Sequence, residues 1–550
     1  MQTQKKSYFF EAMTLLLYAV ALIFIMYYHE PWFDEAQAWL IARDATIREI
    51  LTSITHYEGH PPIWFLILMP FAKLGVPFEL GVKTVNFIIA TIAMGIFIFK
   101  APFKRIVRLT IPFTYFFFYQ YGVISRPYSL MMLGFALSAV CYKQRNQKPF
   151  RFAAALSLIC SSGAFGMAIA AGISIAWLFE VIGTKLSMDN FVFFMKSKIF
   201  YALLVLLTYN ILLLILIYPY NDTYAINIVK QNLPIPVFLL ALFVMPSFSM
   251  FFVENNAQSP AAISDLKFVA YIFMSIIINV GMYVLARKVQ KRALFVLPYL
   301  LFTAFWSFVY FWPHHIGILT LFYTFLLWCF FDEMQTDTQN SETIRLEFYK
   351  KWLGYAGNML LFLSITTSIY WSVCASINDI YLNYGAGREA AKFIKDNGLH
   401  KLNILVDWSQ KTGPKSVETP DDYNHTQGVP ALAYFDNNIF CNFNKKQSNK
   451  CYLSHKVATD GSYVKQLIQN QYPDVLFGGD PKKSRFIEYI NLDDYALVKS
   501  IHGNNIWKST TYPNRQFIFI RKDLLQKYPH FEVLNREDEM IKDKETGLSK

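Results

Sequence analysis

Charged residues are scarce in this chain. Asp, Glu, Lys and Arg make up 16% of 550 residues, against 54% hydrophobic residues and a mean hydropathy of +0.28. That scarcity excludes a chain built wholly of water-soluble domains. No basic stripe with interleaved aromatics occurs, so the net charge of +12 reads as positive-inside anchoring rather than nucleic-acid binding. No internal repeat is visible, which weighs against a transporter built of two similar halves. After the first apolar run the sequence YYHEPWFDE lacks a small-residue cleavage site, so that run reads as a first span, roughly residues 10–28, and not as a cleaved signal peptide. Cysteine is sparse at six residues. Cys141, Cys160, Cys329 and Cys374 lie in or beside apolar runs, where a buried thiol is the ordinary reading.

What is present is a series of apolar runs, at about 62–74, 80–99, 107–121, 127–142, 151–180, 199–218, 235–253, 266–285, 293–311, 315–331 and 353–373. The longer ones can each cross roughly 30 Å of hydrocarbon. The run at 62–74 is short and bounded by prolines, which suits a juxtamembrane or re-entrant helix. The run at 151–180 is either one tilted helix or a tight pair breaking at SSGAFG, Ser161 to Gly166. The expected architecture is a polytopic all-α membrane protein of about eleven to thirteen transmembrane helices, followed by a polar domain. Residues 377–550 hold 24 basic and 21 acidic residues, whereas the 376 residues before them hold 27 and 18. Two units follow from this, a membrane body over 1–376 and a soluble domain over 377–550.

Basic loops set the sidedness. Lys100/Lys104/Arg105/Arg108, Lys143/Arg145/Lys148/Arg151, Arg287/Lys288/Lys291/Arg292 and the polar loop 332–352 are the cytoplasmic candidates. With the N-terminus also cytoplasmic, the loop 29–61, residues 122–127, residues 312–314 and the tail lie outside, provided that 62–99 makes a net single crossing. The parity between 181 and 286 stays open. The tail opens with a helical pattern from Gly387 to Gly398. A strand-like segment follows at Asn403–Asp407, with further apolar strings at Val429–Phe435, Pro473–Gly479 and Arg515–Ile520, which together suit an α/β domain. The tail shows no phosphate-loop glycine pattern, no metal-ligand spacing and no nucleophile elbow, and GGDP at Gly478–Pro481 reads as a turn. Cys441 and Cys451 are ten residues apart in a polar segment and would close a small disulfide loop in an oxidising compartment.

A membrane protein carries few polar residues near its spans without a use for them. The first external loop contains HEPWFDEAQAWLIARD, residues 29–44. Asp34 and Glu35 are adjacent there, and on a helix they point about 100° apart. That suits separate jobs, one meeting an acceptor and the other holding a metal or a basic partner; the bland alternative is that Asp34 caps a helix and Glu35 faces water. Further on, HYEGHPPIW fixes His60 near the interface by the two prolines after it. YQYGVISRPYS places Arg126 at a turn between apolar runs with Tyr128 beside it, a planar fork suited to a lipid-linked phosphate, or else an arginine snorkelling to headgroups. Lys83 is a weaker candidate of the same kind. His314 and His315, after Pro313, can donate to phosphate, ligate zinc or cap a helix break; adjacency makes shared ligation of one ion awkward, so one suits substrate contact and the other structure.

An Asp-Glu pair in the first external loop, a His-Pro-Pro entering the next segment, an Arg-Pro-Tyr at a later external turn and a polar C-terminal domain together resemble the GT-C glycosyltransferase superfamily, in its protein O-mannosyltransferase and aminoarabinose-transferase-like branch of bacterial membrane enzymes. The likeness covers residues 10–142 well, the later spans weakly and the tail hardly at all. It implies a GT-C-like fold in the inner membrane, with an extracytoplasmic tail and inverting transfer of a sugar from a polyprenyl-phosphate donor to a glycan, lipid or protein acceptor. Asp34 matches the acidic residue that activates or positions the acceptor, Glu35 its partner, His60 the residue before the paired prolines, and Arg126 the basic position near the donor phosphate. Lys83 stands where many relatives have arginine, and His314–His315 replace an arginine-containing late motif. Metal dependence stays open, with Asp34, Glu35 or His60 nearby as ligands if a divalent ion is used.

The chemistry agrees with that implication. Phosphate is already a competent leaving group, so one carboxylate suffices to take the acceptor's proton, and basic groups are needed to hold the departing phosphate. Two rivals are an O-antigen polymerase or ligase-like enzyme, which depends on arginines in a large later external loop, and a lipid-linked glycan transporter or flippase, which places its charges near mid-membrane. Here the acids stand in the first loop, and the informative polar residues gather at one face.

Overall fold

The computed structural model describes residues 8–183, 192, 194–221, 223, 235–252, 265–309, 313–336, 345–407, 428–443, 450–453, 462–479 and 489–539. The middle of the polar loop 332–352, most of the Cys441–Cys451 loop and the end of the GGDP turn lie outside the described residues.

Helix α1 (Phe9–Tyr28) carries one charge, Glu11, in its first turn. A polar elbow leads into α2 (Phe33–Asp44) and then into a bent helical stretch of α3 (Ile47–Glu49), a π-helical turn at Ile50–Ile54 and α4 (Thr55–Glu58). Its start is closed reciprocally: Thr46 Oγ1 accepts from the Glu49 amide at 3.2 Å while Glu49 accepts from the Thr46 amide at 2.8 Å, which satisfies two otherwise orphan donors. Gly59, at φ +65°, ends it in the left-handed conformation that glycine adopts without steric penalty. Pro62 then precedes α5 (Ile63–Lys73). Eleven residues reach about 16 Å, half the hydrocarbon thickness. The far end of α5 returns to the loop, because Lys73 donates to the Arg43 carbonyl at 2.5 Å. Trp64, Phe65, Leu68 and Ala72 bury its inner face. Of the two helices between 62 and 99, only α6 (Phe78–Lys100) is long and apolar enough to cross a membrane.

The expected single run at 107–121 is broken into α7 (Arg105–Thr110), a 3₁₀ turn at Ile111–Phe113 and a π-helical turn at Phe116–Val123. Pro112 interrupts the helical ladder there. After α8 (Tyr128–Tyr142), the run at 151–180 forms a tight pair, α9 (Pro149–Ser161) and α10 (Ala164–Ile182). Gly166 lets the pair approach, since a Cβ there would sit 2.1 Å from the Ile159 carbonyl oxygen. The remaining helices are α11 (Lys198–Ile217), α12 (Ile235–Met250), α13 (Asp265–Lys288), α14 (Arg292–Phe308), α15 (Gly317–Thr336) and α16 (Arg345–Tyr381). Among the described residues, seven helices are long and apolar enough to cross a membrane, and five shorter apolar helices accompany them. At the end of α8 away from Arg126, Arg145 and Lys291 both pair with Glu180, and Glu333 lies within 3.9 and 4.0 Å of them. Arg105 and Arg108 converge on Glu11 at 3.1 and 3.0 Å. Basic residues from several loops thus find acids of neighbouring helices.

Beyond α16 come α17 (Gly387–Asp396), α18 (Gly428–Leu432), α19 (Ser462–Asn470) and a sheet of β1 (Ile404–Val406), β2 (Val475–Gly478), β3 (Tyr495–Trp507) and β4 (Thr510–Arg521), ordered β1-β2-β4-β3. β1 and β2 are parallel, whereas β4 runs antiparallel to both β2 and β3. Three of the expected strand segments hold strands. Val429–Phe435 instead begins in helix α18, with Pro430 in its first turn, where proline is tolerated. The two sheet faces alternate as a pleat requires. Ile404, Val406, Val475, Phe477, Ile518 and Ile520 share one apolar cluster with Trp39, Leu40, Trp64 and Leu68 of α2 and α5. Leu405, Leu476, Leu497, Phe517 and Phe519 pack with Ile468 on the other face.

Docking is completed by polar contacts. The Glu30 carboxylate accepts from the amides of Ala386 and Arg388 at 3.1 and 2.6 Å, at the N-terminus of α17 where a negative charge is favoured. Arg388 forks onto Glu79 at 2.7 Å on both oxygens. The β3–β4 hairpin pushes its tip into the helical body: Lys508, at φ +52° and fully buried, donates to the carbonyls of Phe248 and Phe252 and lies 4.1 Å from the Trp371 ring.

Cys441 and Cys451 are not joined by the disulfide expected from their spacing. The two cysteines fall on opposite sides of the sheet, Cys451 in the cluster with α2 and Cys441 against the cluster of Leu405 and Leu476. Burial pushes both thiols up to about 12, which keeps them protonated and poorly reactive.

Candidate functional site

Asp34 and Glu35 occupy the first turn of α2 and diverge as their helical spacing requires. Glu35 turns inward and is fully buried. It accepts from the Ser125 amide at 2.6 Å and the Trp32 amide at 3.1 Å, and its Oε2 lies 3.1 Å from His29 Nε2. His29 Nδ1 is 2.8 Å from Asp379 Oδ2, and the Tyr119 hydroxyl donates to the same oxygen at 3.1 Å. Burial pulls the His29 imidazole down, but Asp379 and Glu35 together outweigh it and leave the group pushed up to about 9. At neutral pH, His29 is therefore a cation bridging two carboxylates, one at the start of α2 and one near the end of α16.

Asp34 turns the other way and pairs with Arg126. Arg126 is 6% exposed, held at the turn before α8, where its carbonyl accepts from the Ser129 amide at 3.3 Å. Its guanidinium lies 5.6 Å from the Trp32 ring and 5.4 Å from the Tyr128 ring, the geometry of cation–π contact. Nη2 is 3.2 Å from His60 Nε2. The His314 ring completes the enclosure, 6.1 Å from Trp32 and 5.8 Å from Tyr128. Three buried polar atoms around this guanidinium, Trp32 Nε1, the Tyr128 hydroxyl oxygen and His314 Nε2, have no hydrogen-bond partner among the described residues. Buried polar groups are usually satisfied, so three such atoms beside one arginine leave hydrogen-bonding capacity open at this place. Cationic and hydrogen-bonding groups of this kind suit an anionic oxygen cluster.

The structure thus brings Asp34, His60, Arg126, Tyr128 and His314 together from four separate stretches of chain. His315 packs 4.3 Å from the Phe165 ring and lies 6.1 Å from the Tyr128 ring. Lys83 lies at the docking seam, donating to the His29 carbonyl at 2.6 Å and to Glu79 at 2.5 Å, so it shares the Glu79 carboxylate with the Arg388 fork. Among the described residues, no group of three or more His, Cys, Asp or Glu side chains is arranged to hold a metal ion. Glu35 and Asp34 face different partners, and His60 faces Arg126.

Sequence reasoning missed His29, Asp379 and Glu58. Glu58 accepts from Gln37 Nε2 at 2.7 Å, and burial pushes it up to about 8, opposed by that hydrogen bond and assisted by the Asp34 charge. Asp379 carried a detectable signal, an isolated acid near the end of an apolar run. His29 and Glu58 carried none beyond their nearness to the motifs.

No family model matches the chain, and no curated protein matches it. A search of solved structures finds similarity to the crystal structure of ArnT from Cupriavidus metallidurans bound to undecaprenyl phosphate, covering 93% of this chain and 97% of that one at 12% identity and a TM-score of 0.41.

Proposed function

We propose that the chain is an inverting glycosyltransferase of the GT-C type that moves a sugar from a polyprenyl-phosphate donor to an acceptor hydroxyl or amine. The observation that carries this reading is the pairing of Asp34 with Arg126 inside an aromatic enclosure holding three unpartnered polar atoms. In this reading the donor phosphate sits against Arg126, with His60, Tyr128 and His314 around it, and replaces Asp34 as the partner of the guanidinium. Asp34, released, accepts the proton of the acceptor nucleophile. The acceptor oxygen or nitrogen bonds to the anomeric carbon as the bond from that carbon to the phosphate oxygen breaks. Negative charge grows on the departing polyprenyl phosphate, where Arg126 offsets it. A single displacement inverts the anomeric centre.

The same reading divides the chain into a membrane body over 1–376 and a soluble domain over 377–550, and puts the loop 29–61, Arg126, His314 and that domain on the extracytoplasmic side. The clustering of Arg105, Arg108, Arg145 and Lys291 with acids of neighbouring helices supports it through the positive-inside tendency. The test is single-turnover transfer in nanodiscs from a polyprenyl-phosphate hexose labelled in the sugar. Acceptor-dependent release of label that requires Asp34 supports the reading; release that is the same without Asp34 overturns it.

A further inference from the structure

The stretch 53–58 and the segment 450–453 enclose a cleft of about 150 Å³. At about 30 Å³ per water, that is room for roughly five waters, or about one six-membered sugar ring. Its lining residues include Ser53, Tyr57, Glu58, Lys450 and Tyr452, with Ile54 and Leu453. The outer wall is firmly set. Gln37 exchanges two hydrogen bonds with the Leu453 backbone, both at 2.8 Å, and the Cys451 amide donates to Asp44 at 2.8 Å. Lys450 pairs with Glu49.

Position links this cleft to the site described above. Gln37, which holds Glu58 at 2.7 Å, follows Asp34 by three residues on α2 and so lies on the same face. The lining selects the guest. Two tyrosines, one of them with Lys450 over its ring at 5.9 Å, suit the C–H face of a pyranose, while a glutamate and a serine in the lining suit its hydroxyls. The charge of Lys450 is matched by Glu49, which favours an uncharged ring over a phosphate. An acyl chain would leave the polar lining unsatisfied, and a peptide would outgrow the volume.

We propose that this cleft is an acceptor subsite holding one uncharged sugar ring of a glycan, with Glu58 hydrogen-bonded to one hydroxyl and a neighbouring hydroxyl directed toward Asp34. The inference rests on the reading of Asp34 and Arg126 as the transfer centre. Burial keeps Glu58 protonated at neutral pH, so it donates to the sugar and leaves Asp34 as the base.

The test is saturation-transfer difference NMR on the full chain in nanodiscs. The probes are the methyl glycosides of glucose, galactose, mannose and N-acetylglucosamine, with glycerol 3-phosphate as the anionic comparison. At least one glycoside should receive saturation on its ring protons, and glycerol 3-phosphate none. Tyr452→Ala should weaken glycoside binding at least about tenfold, and Tyr452→Phe should retain it. Ser53→Trp, which fills the cleft, should abolish binding in a protein of unchanged thermal stability, and it decides the matter if Tyr452→Ala does not fold. Absence of saturation for every glycoside, binding indifferent to Ser53→Trp, or preference for glycerol 3-phosphate would overturn the subsite. Polyprenyl-phosphate binding by wild type and Arg126→Ala, measured in the same nanodiscs, separates the two readings: cleft binding with a lipid phosphate indifferent to Arg126 keeps the subsite and removes the transfer centre, and the reverse pattern does the opposite.

Discussion

Arg126 and Asp34 stand ninety-two residues apart in sequence and share an ion pair, one at the turn before α8 and the other in the first turn of α2. The guanidinium is almost wholly enclosed, whereas the carboxylate keeps 28% of its side-chain surface. A partner arriving from the open side therefore meets the carboxylate first and competes with it for the guanidinium.

Asp34→Asn removes the negative charge and keeps the shape. If Asp34 is the base, single-turnover transfer should fall by about 100-fold to 10,000-fold, with donor affinity undiminished because Arg126 has lost a competitor. Near-normal transfer by a well-folded variant would eliminate the assignment.

Arg126→Ala should weaken binding of a polyprenyl-phosphate sugar, and Arg126→Lys should restore it in part, since a point charge replaces a planar fork. A binding isotherm in nanodiscs reads this directly. Equal affinity across wild type and both variants would place the donor elsewhere.

Glu35 is expected to act through structure. Glu35→Ala leaves His29 charged and half-partnered, and loss of one member of a buried pair costs about 3–5 kcal/mol; the readout is loss of folded protein. Glu35→Gln should lower thermal stability while transfer per folded molecule stays within several-fold of wild type. A stable Glu35→Gln protein with no turnover would exchange its role with that of Asp34.

The His29 bridge also predicts a pH dependence. Its folded value of about 9 lies above the unfolded value of about 6.5, so the bridge contributes its full stability below pH about 6.5 and loses it as pH rises through about 9. Thermal melting from pH 6 to 10 should show this decline, and His29→Gln should flatten it. A wild-type profile without a decline would mean that His29 is not charged in the fold.

Gly166→Ala should be destabilising by about 1–3 kcal/mol, because its methyl group would meet the Ile159 carbonyl at 2.1 Å. An unchanged melting temperature would show that the α9–α10 pair has slack.

The membrane body was legible because apolar length is a local property. The α9–α10 break was flagged by small residues around Gly163, and α5 by its bounding prolines. Within the site, Asp34, His60, Arg126 and His314 stood out as polar residues beside spans, and helix packing brings them together. The different fates of Asp34 and Glu35 were legible only as an angle on a helix. Which of them turns inward depends on Ser125 and His29, and through His29 on Asp379, which lies 350 residues away. Lys83 read as a weaker donor-phosphate candidate because its pairing with Glu79 four residues earlier on α6, and the Arg388 fork that shares that carboxylate, appear only in the folded structure. The cysteine spacing misled because the sheet that separates Cys441 from Cys451 is made of strands remote in sequence.

That bridge from His29 to Asp379 has a temporal side. A ribosome delivers the chain from its N-terminus, and Glu35 emerges early, yet the acid on the far side of its histidine belongs to α16, the last helix before the tail. Through most of membrane insertion His29 can meet only one of its two carboxylates, and Glu30 lacks the α17 amides it accepts. The first loop is thus locked by residues made about 350 positions after it, so a product stalled before α16 keeps Glu35 on Ser125 and Trp32 but leaves His29 with one carboxylate.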